Sequence, residues 1–287
     1  MANIIDLPDF MFSRVNKDNY SKLGKIYNFI KGLLVGFISK KTNKKVYCKL
    51  MNLLFKQGDI SYSEGKYYKN LGNSKSIYFP NKRIDRVITN PSEHFEFLFN
   101  SYCLENINFN ENDTVIDCGA NVGELFYSFD YRDIKINYIG FEPDVEAYDC
   151  LEKNLEKYDT SLYNVALSDD SKESILYIDT EGANSSLIKF NDNALQLPVI
   201  SRTLDSFNFE KIKLLKLEAE GLELEVLKGS IKTLKNIEYV SVDYGPERGI
   251  NSNLTIAEVT NFLYTNSFKI IDGSRYRYIG LFKNNNI

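Results

Sequence analysis

Acidic residues and glycines cluster at two places in this 287-residue chain, each directly after a run of apolar residues. The first cluster is Asp117-Cys118-Gly119-Ala120-Asn121-Val122-Gly123, and the second is Glu218-Ala219-Glu220-Gly221. Glycines permit a tight turn and the close approach of a ligand to the backbone. The amide groups that open a following helix favour a carboxylate there. Paired carboxylates can act as a base, bind a substrate hydroxyl or ligate a metal.

The first cluster has the pattern Gly-x-Asn-x-Gly, which differs from the dinucleotide pattern Gly-x-Gly-x-x-Gly. Glu124 stands where that pattern needs its third glycine, and an acid beside a pyrophosphate is unfavourable. Glu142 ends a second apolar run, 25 residues after Asp117, and Pro143 then opens the next helix. A carboxylate in this position can accept both hydroxyls of an adenosine ribose. The two sites together predict a ligand that contains adenosine.

Further candidates follow other apolar runs. Ala166 and Leu167 end a third run, where they would flank an adenine ring; a turn without a ligand is the alternative. Asp243 follows a fifth run, and we predict it as a third carboxylate of the acceptor pocket. His94, the single histidine, is a candidate base, with simple packing as the competing interpretation.

The metal-binding potential of the sequence is small. One histidine cannot form a multi-histidine site, and the four scattered cysteines contain no CxxC pair. Either Glu218 or Glu220 could instead serve only as the acidic residue at the start of the next helix. We therefore predict no metal site, although a divalent metal bound by carboxylates stays open without a clear set of ligands.

These candidates require strands that alternate with helices. Apolar runs at 114–118, 138–142, 162–167, 214–217 and 238–244 predict strands, and helical patterns lie between most of them. The last two runs, 268–271 and 276–282, predict an antiparallel pair. The alternation indicates an α/β fold with a mostly parallel sheet, in which ligands bind outside the carboxyl ends of the strands.

Residues 111–245 resemble the FkbM-type methyltransferases, a branch of the class I enzymes that use S-adenosyl-L-methionine. The matching segments are VIDCGANVGELF, IGFEPDVEAYDCLEKN, NVALSDDSKESILY, ISRTLDSF and LLKLEAEGLELEVLKGS. The resemblance implies a Rossmann-like, seven-stranded, mostly parallel sheet with an antiparallel last strand, and methyl transfer to an oxygen. The predicted cofactor-binding residues are Asp117, Gly119, Ala120, Asn121, Gly123, Glu142, Pro143, Ala166, Leu167 and Glu218.

Glu218 departs from the family pattern, which usually has Asp at this position, whereas Glu220-Gly221 keeps the pattern. The longer side chain moves the carboxylate by about one C–C bond, so a base or metal role there is not carried over. The predicted catalytic residues are Glu218, Glu220, Asp243 and His94, with one of the two glutamates orienting or deprotonating the acceptor.

The resemblance favours a sugar or glycan hydroxyl as acceptor, of the surface-polysaccharide or capsule type, and phosphorylated or lipid-linked forms are included in this prediction. The alternatives are another small molecule or lipid as acceptor, or a non-catalytic module that binds S-adenosyl-L-methionine. Nucleic acid is disfavoured because the catalytic part is acidic and lacks an extended basic groove.

Charge divides the chain into two parts. Residues 1–60 carry a net charge of +7, and the remainder carries −11. We predict a basic, mainly helical extension over 1–90 and a methyltransferase domain over 91–287. Residues 20–56 contain nine lysines and no acidic residue. Three roles stay open for this stretch: packing on the main domain, pairing in a homodimer, or peripheral contact with an anionic membrane.

The sequence predicts neither a membrane span nor a leader. The longest apolar run, 29–38, contains Lys31 and is about half of the roughly 20 residues that a span needs. The first ten residues, MANIIDLPDF, lack the pattern of a secretory peptide. Because the cysteines form no evident disulfide framework, we predict a reducing, cytoplasmic location.

Overall fold

The computed structural model describes residues 21–55, 59–72, 75–88, 90–179, 185–275 and 277–287. The prediction about a leader falls on residues 1–10 and therefore lies outside the described residues. Contacts divide the chain into two compact units, Met1–Phe97 and Leu98–Ile287. This division lies seven residues beyond the boundary that the sequence predicts at residue 90.

The described part of the first unit opens with two helices, α1 (Lys22–Lys41) and α2 (Lys44–Leu54). Each has a polar N-cap: the Ser21 hydroxyl accepts from the Gly24 amide, and the Asn43 side chain accepts from the Val46 amide. No helix in the described ranges is both long and apolar enough to cross a membrane.

An antiparallel sheet follows, with the order β1 (Ile60–Ser63), β2 (Lys66–Gly72) and β3 (Lys75–Phe79). The sequence predicts loops with short strands over 57–92, so it underestimates this sheet. Helix α3 (Pro91–Ser101) contains the division between the units. It begins at Pro91, a residue that suits the first position of a helix.

The second unit is built on a seven-stranded sheet. Its strands are β4 (Asp113–Cys118), β5 (Ile136–Phe141), β6 (Thr160–Tyr163), β11 (Ile212–Leu217), β12 (Ile237–Asp243), β13 (Phe268–Gly273) and β14 (Ile279–Asn284). Their order is β13-β14-β12-β11-β4-β5-β6, and β14 runs opposite in direction to the other six strands of this sheet. The predicted fold class, a seven-stranded, mostly parallel sheet with an antiparallel last strand, is confirmed.

Four helices connect these strands: α4 (Glu124–Asp130), α5 (Val145–Leu155), α6 (Glu223–Lys228) and α7 (Ile256–Thr265). Strands of a covered parallel sheet are buried on both faces and are therefore apolar nearly throughout. Strand β11 is an example, since Leu214, Leu215 and Leu217 are all fully buried.

A second sheet has the order β7-β10-β8-β9, formed by β7 (Ala166–Leu167), β8 (Lys172–Ile178), β9 (Ser185–Ser186) and β10 (Leu195–Arg202). The predicted single strand 162–167 is wrong: β6 ends at Tyr163, and Ala166 pairs with Ser201 in this other sheet. Just after the end of β6, the Asn164 side-chain amide donates to the carbonyls of Glu142 (2.8 Å) and Pro143 (3.2 Å).

All four cysteines, Cys48, Cys103, Cys118 and Cys150, are buried and form no disulfide. Burial raises the pKa of the Cys48 thiol to about 11 and that of the Cys103 thiol to about 12. Both thiols therefore keep their protons at neutral pH.

Candidate active site

The turn after β4 is shaped by left-handed backbone at three positions. Gly119 (φ 77°), Asn121 (φ 49°) and Gly123 (φ 87°) lie between β4 and α4. A Cβ on Gly119 would stand 2.2 Å from the Glu218 carbonyl oxygen, so the turn after β4 touches the end of β11 directly. Glycine is required at this position by close packing as well as by its dihedral angle.

Asp117 supports this turn through buried polar contacts. Its carboxylate is 1% exposed, accepts a hydrogen bond of 2.6 Å from the Tyr138 hydroxyl, and lies 2.8 Å from the Lys216 ammonium. Lys216 also donates to the carbonyls of Cys118 (3.1 Å) and Gly119 (2.8 Å). Asp117 therefore acts on the predicted cofactor turn through Lys216.

Glu142 joins two turns at the end of β5. One carboxylate oxygen accepts the Asn121 amide at 2.7 Å, and the other accepts the Asp144 amide at 2.9 Å. Each carboxylate oxygen has a second lone pair, so the group can still accept two ribose hydroxyls. Burial raises the pKa of Glu142 to about 7. Pro143 follows it, and Asp144 then caps α5 by accepting the Glu146 amide.

Ala166 and Leu167 are buried, but they do not end a strand of the main sheet. The residues that follow β6 are Asn164 and Val165, and the Tyr163 ring at its end stacks on Phe141 with centroids 5.1 Å apart. Ala166 and Leu167 therefore do not lie at the end of a main-sheet strand, where the sequence predicts them. Their role beside an adenine ring stays a prediction.

Glu218 lies in a network of charged side chains at the end of β11. Arg277 donates to Glu218 and, at 2.7 Å, to Asp243. Arg277 also donates at 2.9 Å to the Tyr102 hydroxyl, which in turn donates to Glu218. The Lys216 ammonium is 3.5 Å from a Glu218 oxygen.

These partners decide the protonation of Glu218. Burial opposes its ionisation, but the charges of Arg277 and Lys216 outweigh burial and hold the pKa of Glu218 far below its ordinary value. A carboxylate stabilised in this way is a poor base. The structure therefore favours a positioning role for Glu218 over the predicted role as base.

Glu220 lies in the turn after the strand, because β11 already ends at Leu217. Glu218 and Glu220 therefore both lie beyond the end of the strand, and strand alternation does not place them on one face. Glu220 has left-handed backbone (φ 49°), and the Ser186 hydroxyl donates to its carbonyl at 2.9 Å. Such backbone in a residue other than glycine is strained and is common at functional sites.

Glu223 stabilises the same turn through hydrogen bonds. Its carboxylate accepts the amides of Ala219 (3.2 Å) and Gly221 (2.9 Å) and the Thr255 hydroxyl (2.9 Å). These bonds fix the backbone on both sides of Glu220. The turn is thus held rigid by a glutamate that sequence reasoning did not single out.

Asp243 and Glu247 complete the site on the neighbouring strand end. Asp243 accepts the Gly245 amide at 3.0 Å in addition to Arg277. Burial and the nearby carboxylates of Glu220, Glu218 and Asp243 raise the pKa of Glu247 to about 9. Sequence reasoning missed Glu247 and Tyr102, and it considered Arg277 only as a residue that could hold an anionic acceptor. Only Glu247 had a local signal, as an acid shortly after a strand end.

His94 lies in the first unit, whereas the network described above belongs to the second. Its ring is 1% exposed and lies 5.4 Å from the Phe95 ring, measured between centroids. This setting supports the packing interpretation, and a role as base stays a prediction. Within the described residues, no group of three or more His, Cys, Asp or Glu side chains could hold a metal ion.

The main sheet has the strand order of the class I methyltransferase fold. The fold also places an acid and a glycine turn after β4 and an acid after β5, as this chain does. The family model described as "Methyltransferase FkbM domain" matches residues 117–270, which is more than half of the chain. The chain belongs to this family of methyltransferases.

Two curated relatives are similar to parts of the chain. Methyltransferase sdnD of Sordaria araneosa is 27% identical over 175 residues, covering 47% of this chain and 67% of its own length. Hexuronic acid methyltransferase AglP of Haloferax volcanii is 26% identical over 137 residues, covering 46% of this chain and 56% of its own length. The chain thus spans between half and two thirds of these relatives.

Solved structures of similar fold include two methyltransferases. Precorrin-6y C5,15-methyltransferase from Geobacter metallireducens is 10% identical with a TM-score of 0.37, covering 63% of this chain and 86% of that one. A SAM-dependent methyltransferase from Aquifex aeolicus is 14% identical with a TM-score of 0.38, covering 68% and 97%.

Proposed function

We propose that this chain transfers a methyl group from S-adenosyl-L-methionine to a hydroxyl of a sugar or glycan of the surface-polysaccharide or capsule type. The observation that carries the proposal is the group of carboxyl side chains formed by Glu220, Asp243 and Glu247 at the ends of β11 and β12. Carboxyl oxygens accept hydrogen bonds from hydroxyls, and a sugar presents several of them. The turn after β4 touches the same strand end.

The residues that surround the first turn fit the proposed cofactor. Glu142 is fixed by two backbone amides and keeps lone pairs for the two ribose hydroxyls. The backbone of 119–123 would hold the methionine half. Asp117 and Glu218 would act on this turn through Lys216, which lies 2.8 Å from Asp117 and 3.5 Å from Glu218 and donates to the Gly119 carbonyl. When bound, S-adenosyl-L-methionine supplies an activated methyl group, so the protein needs to orient the acceptor and remove its proton.

The proton of the acceptor hydroxyl goes to Glu220 in this proposal. The charges of Arg277 and Lys216 hold the pKa of Glu218 far below its usual value, which makes it a poor base. Burial raises the pKa of Asp243, but its carboxylate is already held by Arg277 and by the Gly245 amide. Glu247 keeps its own proton at pH 7, because its pKa is about 9, and can donate a hydrogen bond to a sugar oxygen. Orientation of an acceptor in this way can supply roughly 7–11 kcal/mol of the barrier.

Two further observations support the proposal. The relative AglP is named as a hexuronic acid methyltransferase, and a uronic acid is a sugar. The four cysteines are buried and form no disulfide, which supports a reducing, cytoplasmic compartment.

The test is a methylation assay with the full chain. Labelled S-adenosyl-L-methionine is combined in turn with neutral glycans, uronic acid glycans, phosphosugars and lipids, and product mass is measured. We expect methyl transfer to a glycan, with kcat falling about 100-fold in Glu220→Gln. Glu156→Gln is the matched control, because Glu156 is exposed at the end of α5.

Other results would contradict the proposal in distinct ways. Transfer to a lipid or another small molecule, with none to any glycan, would overturn the acceptor class. Cofactor binding by calorimetry without turnover on the whole panel would indicate a binding module. Unchanged kcat in Glu220→Gln would remove Glu220 as the base.

A further inference from the structure

Helix α1 presents apolar side chains that nothing in the described structure covers. Leu23 is 78% exposed and Phe37 is 64% exposed, and Ile30, Leu33 and Leu34 are exposed as well. Single exposed apolar residues are ordinary, but five on one helix form a patch. A patch of this kind indicates a binding surface.

The five residues lie on one face of the helix. At 3.6 residues per turn, positions 23, 30, 33, 34 and 37 fall within a sector of about 100°. Val35 and Ile38 fall outside this sector and are buried. Helix α1 therefore packs within its unit through one apolar face and leaves a second apolar face uncovered.

The two helices α1 and α2 are rich in positive charge. Residues 21–55 contain eight lysines and no acidic residue. Lys40 and Lys41 are exposed at the end of α1, and Lys45 and Lys49 are exposed on α2. Helix α2 adds exposed Val46 and Leu53, which are seven residues apart and so share a face.

We propose that α1, with the exposed face of α2, binds an anionic lipid bilayer while lying in the plane of its surface. Helices that bind in this way bury an apolar face among the acyl chains and hold their lysines at the level of the headgroups. Anionic lipids attract such lysines, and the attraction fades over a Debye length. The inference does not depend on the identity of the methyl acceptor.

Charge argues against a second copy as the occupant. In a two-fold dimer the same patch meets itself, so the lysines around each helix would face like charges. An anionic bilayer instead supplies negative charge and an apolar interior together. The lipid surface therefore complements both the apolar side chains and the lysines of the patch.

The experiment measures flotation of the full chain with vesicles of phosphatidylcholine, with and without phosphatidylglycerol. We expect binding that requires phosphatidylglycerol and weakens with added salt. Leu33→Ser with Phe37→Ser should reduce binding by at least about tenfold. Lys40→Glu with Lys45→Glu should also reduce vesicle binding by at least about tenfold, because the loss of each lysine weakens binding about fivefold.

Tyr264→Ser is the matched control, because Tyr264 is 75% exposed on α7 of the second unit. It should bind vesicles like the unchanged chain, and circular dichroism should show all variants folded. The proposal is overturned if no binding depends on phosphatidylglycerol, or if Leu33→Ser with Phe37→Ser binds undiminished. A dimer in light scattering that these substitutions dissolve, without vesicle binding, would assign the patch to a second copy.

Discussion

Lys216 and Asp117 are register partners on the adjacent parallel strands β11 and β4, and their side chains form a buried ion pair. The ammonium nitrogen and the carboxylate oxygen are 2.8 Å apart, and neither side chain is more than 3% exposed. Because Lys216 also donates to the Cys118 and Gly119 carbonyls, the pair links the sheet to the turn that we assign to the cofactor.

Lys216→Met should destabilise the fold strongly. It leaves the Asp117 carboxylate buried without a countercharge, which costs about 3–5 kcal/mol of unfolding free energy. Urea denaturation measures the loss. Lys172→Met is the control, since Lys172 is exposed and its pairing with Asp170 should contribute less than about 1 kcal/mol. Equal losses in the two variants would contradict the assigned role of the pair.

The two glutamates of the second cluster should respond differently to amidation. Glu218→Gln removes charge-assisted hydrogen bonds from Arg277 and should cost about 1.5–3 kcal/mol of stability. Glu220→Gln should leave stability within about 0.5 kcal/mol and lower kcat by about 100-fold. Thermal unfolding and initial rates, measured on the same preparations, check both. The reverse pattern would show that Glu218 is the base.

Cofactor affinity should depend on pH through Glu142. Its pKa of about 7 means that acid protonates the carboxylate, and the neutral acid accepts hydroxyl hydrogen bonds less well. The Kd for S-adenosyl-L-methionine should therefore fall as pH rises through about 7, as measured by calorimetry. Glu142→Gln should weaken binding about tenfold and flatten the profile. A variant with the unchanged pH profile would assign the titration to another group.

Gly119→Ala should be far more damaging than Gly65→Ala. Both glycines have left-handed backbone, so alanine costs about 1–2 kcal/mol at either position. At Gly119 the added Cβ also meets the Glu218 carbonyl at 2.2 Å, whereas at Gly65 nothing lies within 4 Å. We expect at least about 2 kcal/mol of extra loss for Gly119→Ala in denaturation. Similar losses would mean that the turn can move away from β11.

Most strands of the main sheet and both turns could be predicted because their signals are local. The apolar runs of a buried parallel sheet and the Gly119 to Gly123 spacing need no knowledge of distant residues. The cluster around Glu218 could not be predicted in full. Arg277 lies 59 residues after Glu218 and 175 residues after Tyr102, and only the sheet order brings them together.

The motifs that identify the family most clearly turn out to be partly structural. Asp205, in the TLD segment, accepts the amides of Lys232 and Thr233 and the Thr233 hydroxyl. Glu223, in the EGLE segment, holds the turn that carries Glu220. A family sequence pattern contains residues that stabilise the fold as well as residues that bind ligands. The pattern alone therefore does not separate residues that orient the site from those that would touch its ligands.

Each unit contains buried cysteines, so the unfolding of each unit can be followed separately by the labelling of its thiols. Cys48 belongs to the first unit, and Cys103, Cys118 and Cys150 belong to the second. Alkylating reagents attack thiolates, so a protonated, buried thiol reacts only after its surroundings open. Mass spectrometry of peptides labelled in increasing denaturant would therefore reveal whether the basic helices and the methyltransferase sheet unfold together or in sequence.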